Sequence, residues 1–388
     1  MDVAAFLLQL HKDAGRTEPS SRKHLIHFTS TADYYACKTE LVRLKSELAG
    51  LSEVIPLDIV HAFSCTLHPA ARLADFSGEM RLEADTRVTL SKTKAVKALP
   101  KRARIQSSVR TGTIPWGVEQ IGAPEIWSKS VGKNIRVGVI DTGIDYKHPD
   151  LKNSISHGIN LLNRRVLPYD DNGHGTHIAG TIAATGRYSG IVGVAPRAII
   201  HPVKAFDQHG SAYVSDIIAG IDWCVQNNLD IINMSFGMKT YNPTLEQAVM
   251  NAYYNGKVIV ASSGNDGRKK SVDYPARFPQ VVSVGALTRL GKIAPFSNRG
   301  KQIDIYAPGE RVYSAWLGGK YHELSGTSMA TAHVSGVIAL MLALKKMSPQ
   351  QIKSALRRCS LSLAKREGGR WRPGHLNARR AIREARQE

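Results

Sequence analysis

From Met329 to Leu344 the chain is almost wholly small or apolar, interrupted only by Thr331, His333 and Ser335. A helix that is apolar all round must be buried, either in a large core or in a membrane. This run is too short and too polar to span a bilayer, which takes roughly 20 apolar residues. It predicts a central core helix that the rest of the fold must wrap. Gly326-Thr327-Ser328 leads into it. The glycine permits a sharp turn, and Ser328 falls where unpaired backbone N–H groups and the positive helix end favour an anion. A serine there is either a nucleophile beside an oxyanion site or a simple N-cap. This stretch alone favours the cap. The nucleophile reading needs a base, an orienting acid and an oxyanion donor from elsewhere.

With 388 residues there is room for two or three domains around such a helix. The net charge of +20 would attract acidic partners, so its location matters. Part of it lies in Lys92–Arg110, which carries Lys92, Lys94, Lys97, Lys101, Arg102, Arg104 and Arg110 with no acid. Such a run reads as a solvated linker. It has no interleaved aromatic residues for base stacking, and no nucleic-acid motif accompanies it, so no specific nucleic-acid partner is expected. Cys37, Cys65, Cys224 and Cys359 form neither a zinc signature nor a disulfide framework. The N-terminus lacks a basic n-region and carries Asp2, unlike a signal peptide. Cytoplasmic residence is the expectation, with export by a route or start site not visible here as the alternative. No segment reaches membrane-spanning length.

Residues 1–22 read as a short helix and a lead-in. A small unit follows over 23–91: a strand at His24–Phe28, a helix over Thr31–Ala49, strands at Val54–Val60 and Ala62–Leu67, a short helix over Ala70–Phe76 and a strand at Met80–Leu90. This β-α-β-β-α-β order predicts a ferredoxin-like α+β module. The basic linker occupies 92–112. From 113 to 388, apolar strands at Ile135–Ile140, Ala198–Val203, Asp230–Met234, Lys257–Ala261, Val281–Val284 and Ile303–Tyr306 alternate with helices such as Val214–Asn227 and Thr244–Tyr254. That alternation means a mostly parallel sheet covered on both faces. Ligands bind such sheets beyond the carboxyl ends of the strands, where Asp141, Ser235 and Gly264-Asn265 fall. The basic stretch from Lys353, with helical Asn377–Arg386, reads as a solvated surface.

Taken singly, the polar motifs are ambiguous. Asp141-Thr142-Gly143 at a strand end is structural or functional at even odds. Asn172-Gly-His174-Gly-Thr-His177 could suit a metal with Asp170 and Asp171, yet no third-ligand pattern accompanies it, so no metal ligand set is expected. Ser263-Gly264-Asn265-Asp266-Gly267 could be an ordinary turn. In combination they change the odds. Asp-Thr-Gly, His-Gly-Thr-His and Gly-Thr-Ser-Met-Ala stand in this order at element ends of one α/β region. The chain from about Thr113 to Ala385 thereby resembles the subtilisin-like serine proteases. Further matches are Val194-Ala-Pro196, Asn233-Met-Ser-Phe-Gly237, Tyr274-Pro275 and Ala307-Pro-Gly309.

The resemblance implies a three-layer fold with a mostly parallel seven-stranded sheet, and a serine endopeptidase acting on polypeptides through an acyl-enzyme. It implies Ser328 as nucleophile, His174 as base, Asp141 as orienting acid and Asn265 as oxyanion donor. Ser211, within Gly210–Ala212, and Ser235, Phe236 and Gly237 map to the strands that hold an extended peptide, and Gly264 to the pocket wall. Tyr274-Pro275 matches a dipeptide that the family holds cis. Where the family commonly has a small residue at the floor of its specificity pocket, this chain has Asp273, with Asp266 at the rim. Two carboxylates there favour Lys or Arg before the scissile bond, unless Asp273 faces solvent or pairs with Arg268 or Lys269. No cofactor is required for the chemistry. The family's tight calcium loop maps to Thr185–Ile191 with Asp150, but Arg187 and Gly112 replace two expected ligands, so it looks degraded. A weaker cation site maps to Asp304 and the carbonyls of Ala276, Phe278 and Val281. The module at 23–91 resembles the family's propeptide, an intramolecular inhibitor and folding chaperone. Glu83 and Asp85 stand where the family places helix-capping acids, and Arg104 and Arg110 offer self-cleavage sites. A monomer is expected.

Overall fold

The computed structural model of the chain describes residues 1–14, 19–71, 73–76, 78–90, 94–95, 112–187, 190–361 and 373–387. Arg104 and Arg110, with most of the basic linker, lie outside the described residues. In the N-terminal region, α1 (Val3–Ala14), β1 (Arg22–Phe28), α2 (Thr31–Leu44), β2 (Ile55–Leu57), β3 (Ala62–Leu67) and β4 (Met80–Ala84) form one unit. Its antiparallel sheet has the order β2-β3-β1-β4. The expected second helix is only a 3-10 turn, Leu73–Phe76. Helix α1 compensates. Its apolar face, Phe6, Leu7 and Leu10, enters the same core as Phe28, Tyr34 and Phe63, with the Phe6 ring edge-on to Phe28 at 5.6 Å. Residues 3–14, read above as part of a lead-in, thus help build the module itself.

The expected strand Met80–Leu90 is two strands. After β4 the chain leaves the module, and β5 (Arg87–Thr89) pairs with a strand of the following region. Two further residues, β6 (Lys94–Ala95), pair with the strand before Ser328. The remaining elements are α3 (Trp116–Gln120), β7 (Arg136–Asp141), β8 (Ile159–Asn160), α4 (His174–Ala183), β9 (Ile199–Lys204), β10 (Ser211–Tyr213), α5 (Val214–Gln226) and β11 (Ile231–Met234). After them come α6 (Pro243–Tyr254), β12 (Val258–Ser262), β13 (Val282–Leu287), β14 (Ile305–Pro308), β15 (Val312–Trp316) and β16 (Lys320–Ser325). Helices α7 (Thr327–Leu342) and α8 (Pro349–Cys359), strand β17 (Gly374–His375) and helix α9 (Ala378–Gln387) complete the chain.

Eight strands form one sheet in the order β17-β14-β13-β12-β11-β7-β9-β8, and every pairing in it is parallel. Eight strands stand where seven are expected, and the two at the edges, β17 and β8, are only two residues long. One face packs on α4 and α7, whose apolar residues join Val137, Val139, Val260 and Val284 in a single core. The other face packs on α5 and α6 through Ile140, Ile232, Ile259 and Ala261. All four cysteines are buried free thiols. Among the described residues, no helix is long and apolar enough to cross a membrane.

Helix α7 is the long apolar run of the sequence, and every residue from Thr327 to Met341 is buried. Small residues allow neighbours to approach it closely. A Cβ on Gly336 would lie 2.5 Å from the Val194 Cβ, closer than real atoms come. Helix α9 is not fully solvated, as the sequence suggested. Its Ala378, Ala381, Ile382 and Ala385 are buried in the core that holds α7, while Arg379 and Arg380 stay exposed.

Overpacking of this kind costs about 1–3 kcal/mol. Gly336→Ala is therefore expected to lower the melting temperature in a thermal-unfolding scan. An unchanged value would mean that Val194 yields without cost.

Candidate active site

Two strand ends and two helix starts converge at the carboxyl edge of the sheet. Asp141 is the last residue of β7, His174 the first of α4, Asn265 follows β12, and Ser328 is the second residue of α7. Burial fixes their electrostatics. Asp141 is fully buried, and both its oxygens meet His174 Nδ1, at 2.8 and 2.9 Å. Burial alone would depress the His174 pKa, but the charges of Asp141 and Asp170 and the bond to Asp141 outweigh it and raise the value. The other ring nitrogen, Nε2, is buried and has no hydrogen-bond partner.

Asp170 holds this histidine's helix in place. Its Oδ1 accepts from Thr142 Oγ1, Asn172 N and Gly173 N, and its Oδ2 from Thr176 N and Oγ1, all at 2.6–2.9 Å. A carboxylate at a helix N-terminus is favoured by the free N–H groups and the dipole. The sequence offered Asp170 and Asp171 only as neighbours of a metal pattern. Asp171 instead pairs with Lys204 at 2.7 Å. His177 is bonded through Nε2 to the carbonyls of Val312 and His322, and burial pushes its pKa down to about 3. It is a neutral core histidine. Among the described residues no group of three or more His, Cys, Asp or Glu side chains could hold a metal ion.

Asn265 Oδ1 accepts from Thr327 N at 2.9 Å and Thr327 Oγ1 at 2.8 Å. That fixes the amide's orientation and leaves its Nδ2 buried without a partner. Two buried nitrogens thus lack partners, the Asn265 Nδ2 donor and the His174 Nε2 acceptor, and a buried orphan polar group signals a ligand or catalytic role. The Ser328 hydroxyl donates to the Ser235 carbonyl at 2.7 Å, and Ser235 Oγ donates back to the Ser328 carbonyl at 3.2 Å. Asn233 supports Ser235 at 2.9 Å and accepts from Ser335 of α7 at 3.0 Å. The bland alternative for Ser328 fails on geometry: the residue preceding α7 is Gly326, with no side-chain cap, and the Ser328 hydroxyl points elsewhere.

The expected peptide-binding positions divide. Ser211 and Ala212, in β10, pair antiparallel with Thr89 and Val88 of β5, and Leu90 N donates to Gly210 O at 2.8 Å. The Phe236 side chain is turned inward against Phe206, with centroids 4.9 Å apart. Gly237 lines a cleft of about 500 Å³ together with residues 86–90, Asn265, Asp266 and Asp273. Gly264, at φ +99°, lies so close to Asp273 that a Cβ would fall 2.2 Å from its Oδ2. Tyr274–Pro275 is cis.

Asp273 does not face solvent, and its cationic partner is neither Arg268 nor Lys269. It is buried, and Lys239 Nζ donates to its two oxygens at 2.9 and 3.2 Å and also to Asp266. The sequence reading missed Lys239. Its signal was position, two residues beyond Gly237 on the chain that leaves β11 for the cleft. At the weaker cation site the ligand is again a lysine of the chain. Lys353 Nζ donates to the carbonyls of Pro279 and Val281 at 2.6 Å and pairs with Asp304 at 3.2 Å. Near the calcium loop, Asp150 Oδ2 accepts from Ile191 N at 2.8 Å and Tyr321 OH at 2.7 Å.

A family model described as the subtilase family matches residues 132–373. A thermostable alkaline protease of Halalkalibacterium halodurans is 44% identical over 253 residues, covering 65% of this chain and 68% of that protein. Subtilisin of Bacillus pumilus is 43% identical over 235 residues, covering 59% and 85%. The major intracellular serine protease of Bacillus subtilis is 44% identical over 248 residues, covering 61% and 78%.

His174 accepts a proton only when neutral, and its raised pKa delays that state to higher pH. The acid limb of kcat/KM is therefore expected above the ordinary histidine value of about 6.5. Removing the Asp141 charge leaves burial to dominate, so Asp141→Asn should move the limb downward and cost about 10⁴ in kcat. A pH–rate profile of both proteins checks the sign.

Proposed function

The chain belongs to the subtilase family and is a serine-type endopeptidase, and on that premise we propose how its own residues divide the work. Ser328 Oγ turns from the Ser235 carbonyl, passes its proton to His174 Nε2 and attacks the peptide carbonyl. His174 then protonates the leaving amine, and water repeats the sequence on the acyl-enzyme. Asp141 keeps Nδ1 as the protonated nitrogen and stabilises the imidazolium. The Asn265 Nδ2 group and the Ser328 N–H at the start of α7 donate to the oxyanion. The observation that carries this reading is a pair of buried, partnerless nitrogens: His174 Nε2, on the ring held by Asp141, and Asn265 Nδ2, on the amide tied to Thr327 beside Ser328.

The N-terminal module is the chain's own inhibitor, and the chain is a self-processing zymogen active as a monomer. In support, β5 adds to β10 as an extended peptide would, by backbone pairing. Glu83 accepts from Asn242 and Thr244 at the start of α6, and Asp85 from Ser215 N at the start of α5. Burial opposes the Glu83 charge, yet bonds from His27, Thr244 and Asn242 bring its pKa down to about 2. Asp273 and Asp266 in the specificity pocket favour Lys or Arg before the scissile bond, against the opposing charge of Lys239. No step involves calcium. At the expected calcium loop, Asp150 Oδ2 accepts from Ile191 N and Tyr321 OH while its Oδ1 is buried without a partner, and Arg187 stands in place of an expected ligand.

Mass spectrometry of purified protein should find the wild type shortened at its N-terminus and Ser328→Ala intact. Asn265→Ala should process and cleave peptides about 10²- to 10³-fold more slowly, the range already known from a subtilisin. A wild type that stays intact and hydrolyses no peptide would overturn the assignment.

A further inference from the structure

We propose that Lys239 is a specificity-determining residue: its ammonium occupies the place in the pocket that the charged end of a substrate Lys or Arg would take. The inference rests on the peptidase reading above and deepens it. Three observations carry it. First, Lys239 Nζ lies between Asp273 and Asp266, bonded to both oxygens of the former and one of the latter. Asn298 Nδ2 adds weaker bonds to the same two carboxylates, at 3.4 and 3.2 Å. Second, these residues line the cleft that also holds Asn265 and the strand end of β5, so the ion cluster faces the bound chain. Third, the two sides of the cluster differ in freedom. The Asp273 side chain is only 3% exposed, whereas that of Lys239 is 52% exposed.

The asymmetry decides what happens when a peptide binds. Asp273 cannot leave, because Gly264 and Gly237 crowd its carboxylate. Backbone bonds between Met238 and Tyr274, at 2.8 and 2.9 Å, set the base of Lys239 opposite it. The lysine stem is long and flexible, so its head can swing to water while the stem stays on the pocket wall. A neutral side chain entering the pocket meets carboxylates already paired by Lys239. A basic one must compete with Lys239 or displace it. Lys239 therefore lets the pocket accept neutral residues and holds down the preference for Lys or Arg that Asp273 and Asp266 would otherwise impose. Burial raises the Asp273 pKa, and Lys239 opposes that shift.

The test compares kcat/KM for matched peptides with Lys or Leu before the scissile bond, normalised by active-site titration with a sulfonyl fluoride. In Lys239→Met the Lys/Leu ratio should rise about ten- to a hundredfold, the scale of one partly screened ion interaction. Lys239→Arg should keep the wild-type ratio, and adding Asp273→Asn to Lys239→Met should remove the gain. Lys239→Gln, which retains a donor between the carboxylates, carries the same expectation if the methionine variant does not fold. An unchanged or lowered ratio in a titratable variant overturns the role of Lys239 and leaves the peptidase reading standing. A wild type that cleaves neither peptide overturns that reading instead.

Discussion

Burial of α7 on every side is the constraint from which the rest follows. A helix without a polar face can be stable only if neighbours cover it completely. Here α4, α9 and the strands β11 to β14 do so. Close packing leaves that arrangement little room to vary, since small residues such as Gly336 set how near each neighbour comes. The first turn of α7 is thus carried to the carboxyl edge of the sheet. Its first residues stand at the turn after β12, which carries Asn265, on the same sheet edge as the end of β7, which carries Asp141. The reactive geometry is a by-product of covering one apolar helix.

A second pattern is the use of the chain's own lysines as counter-ions. Lys204 bonds to the Thr142 carbonyl at 2.6 Å and pairs with Asp171 beside the Asp170 cluster. Lys353 satisfies two backbone carbonyls and Asp304. Lys239 serves Asp266 and Asp273. A buried carboxylate is costly unless paired and hydrogen-bonded. Each such pair cancels charge on both sides, so these lysines leave the net excess of +20 unaltered. Arg379 on α9 pairs with Glu125 at 2.8 Å, while Arg380 stands exposed beside a buried apolar stripe.

Local chemistry was legible where one residue type in one place suffices. The strand ending at Asp141 and the helix opening at Ser328 could be placed from apolar patterning and a glycine turn. The β-α-β-β start of the N-terminal module was legible for the same reason. Its fifth and sixth elements were not. Ala70–Phe76 has the composition of a helix, yet α1 brings Phe6, Leu7 and Leu10 into the module's core from far away in sequence. Met80–Leu90 reads as one strand because patterning does not reveal that its second half pairs with a different sheet.

The sequence by itself determined the parallel α/β layering and the buried helix, because periodicity and turn chemistry are local, and the order of its motifs carried the resemblance to the family. Only the tertiary structure decided how the chain's polar residues are charged and paired. Asp273 meets Lys239 from 34 residues away, Asp170 meets Thr142 from 28 away, and Asp304 meets Lys353 and Arg357 from 49 and 53 away, and no spacing rule encodes these pairings. Whether a carboxylate faces water, a lysine or a histidine depends on which strand ends the sheet brings together. That is a property of the packed whole.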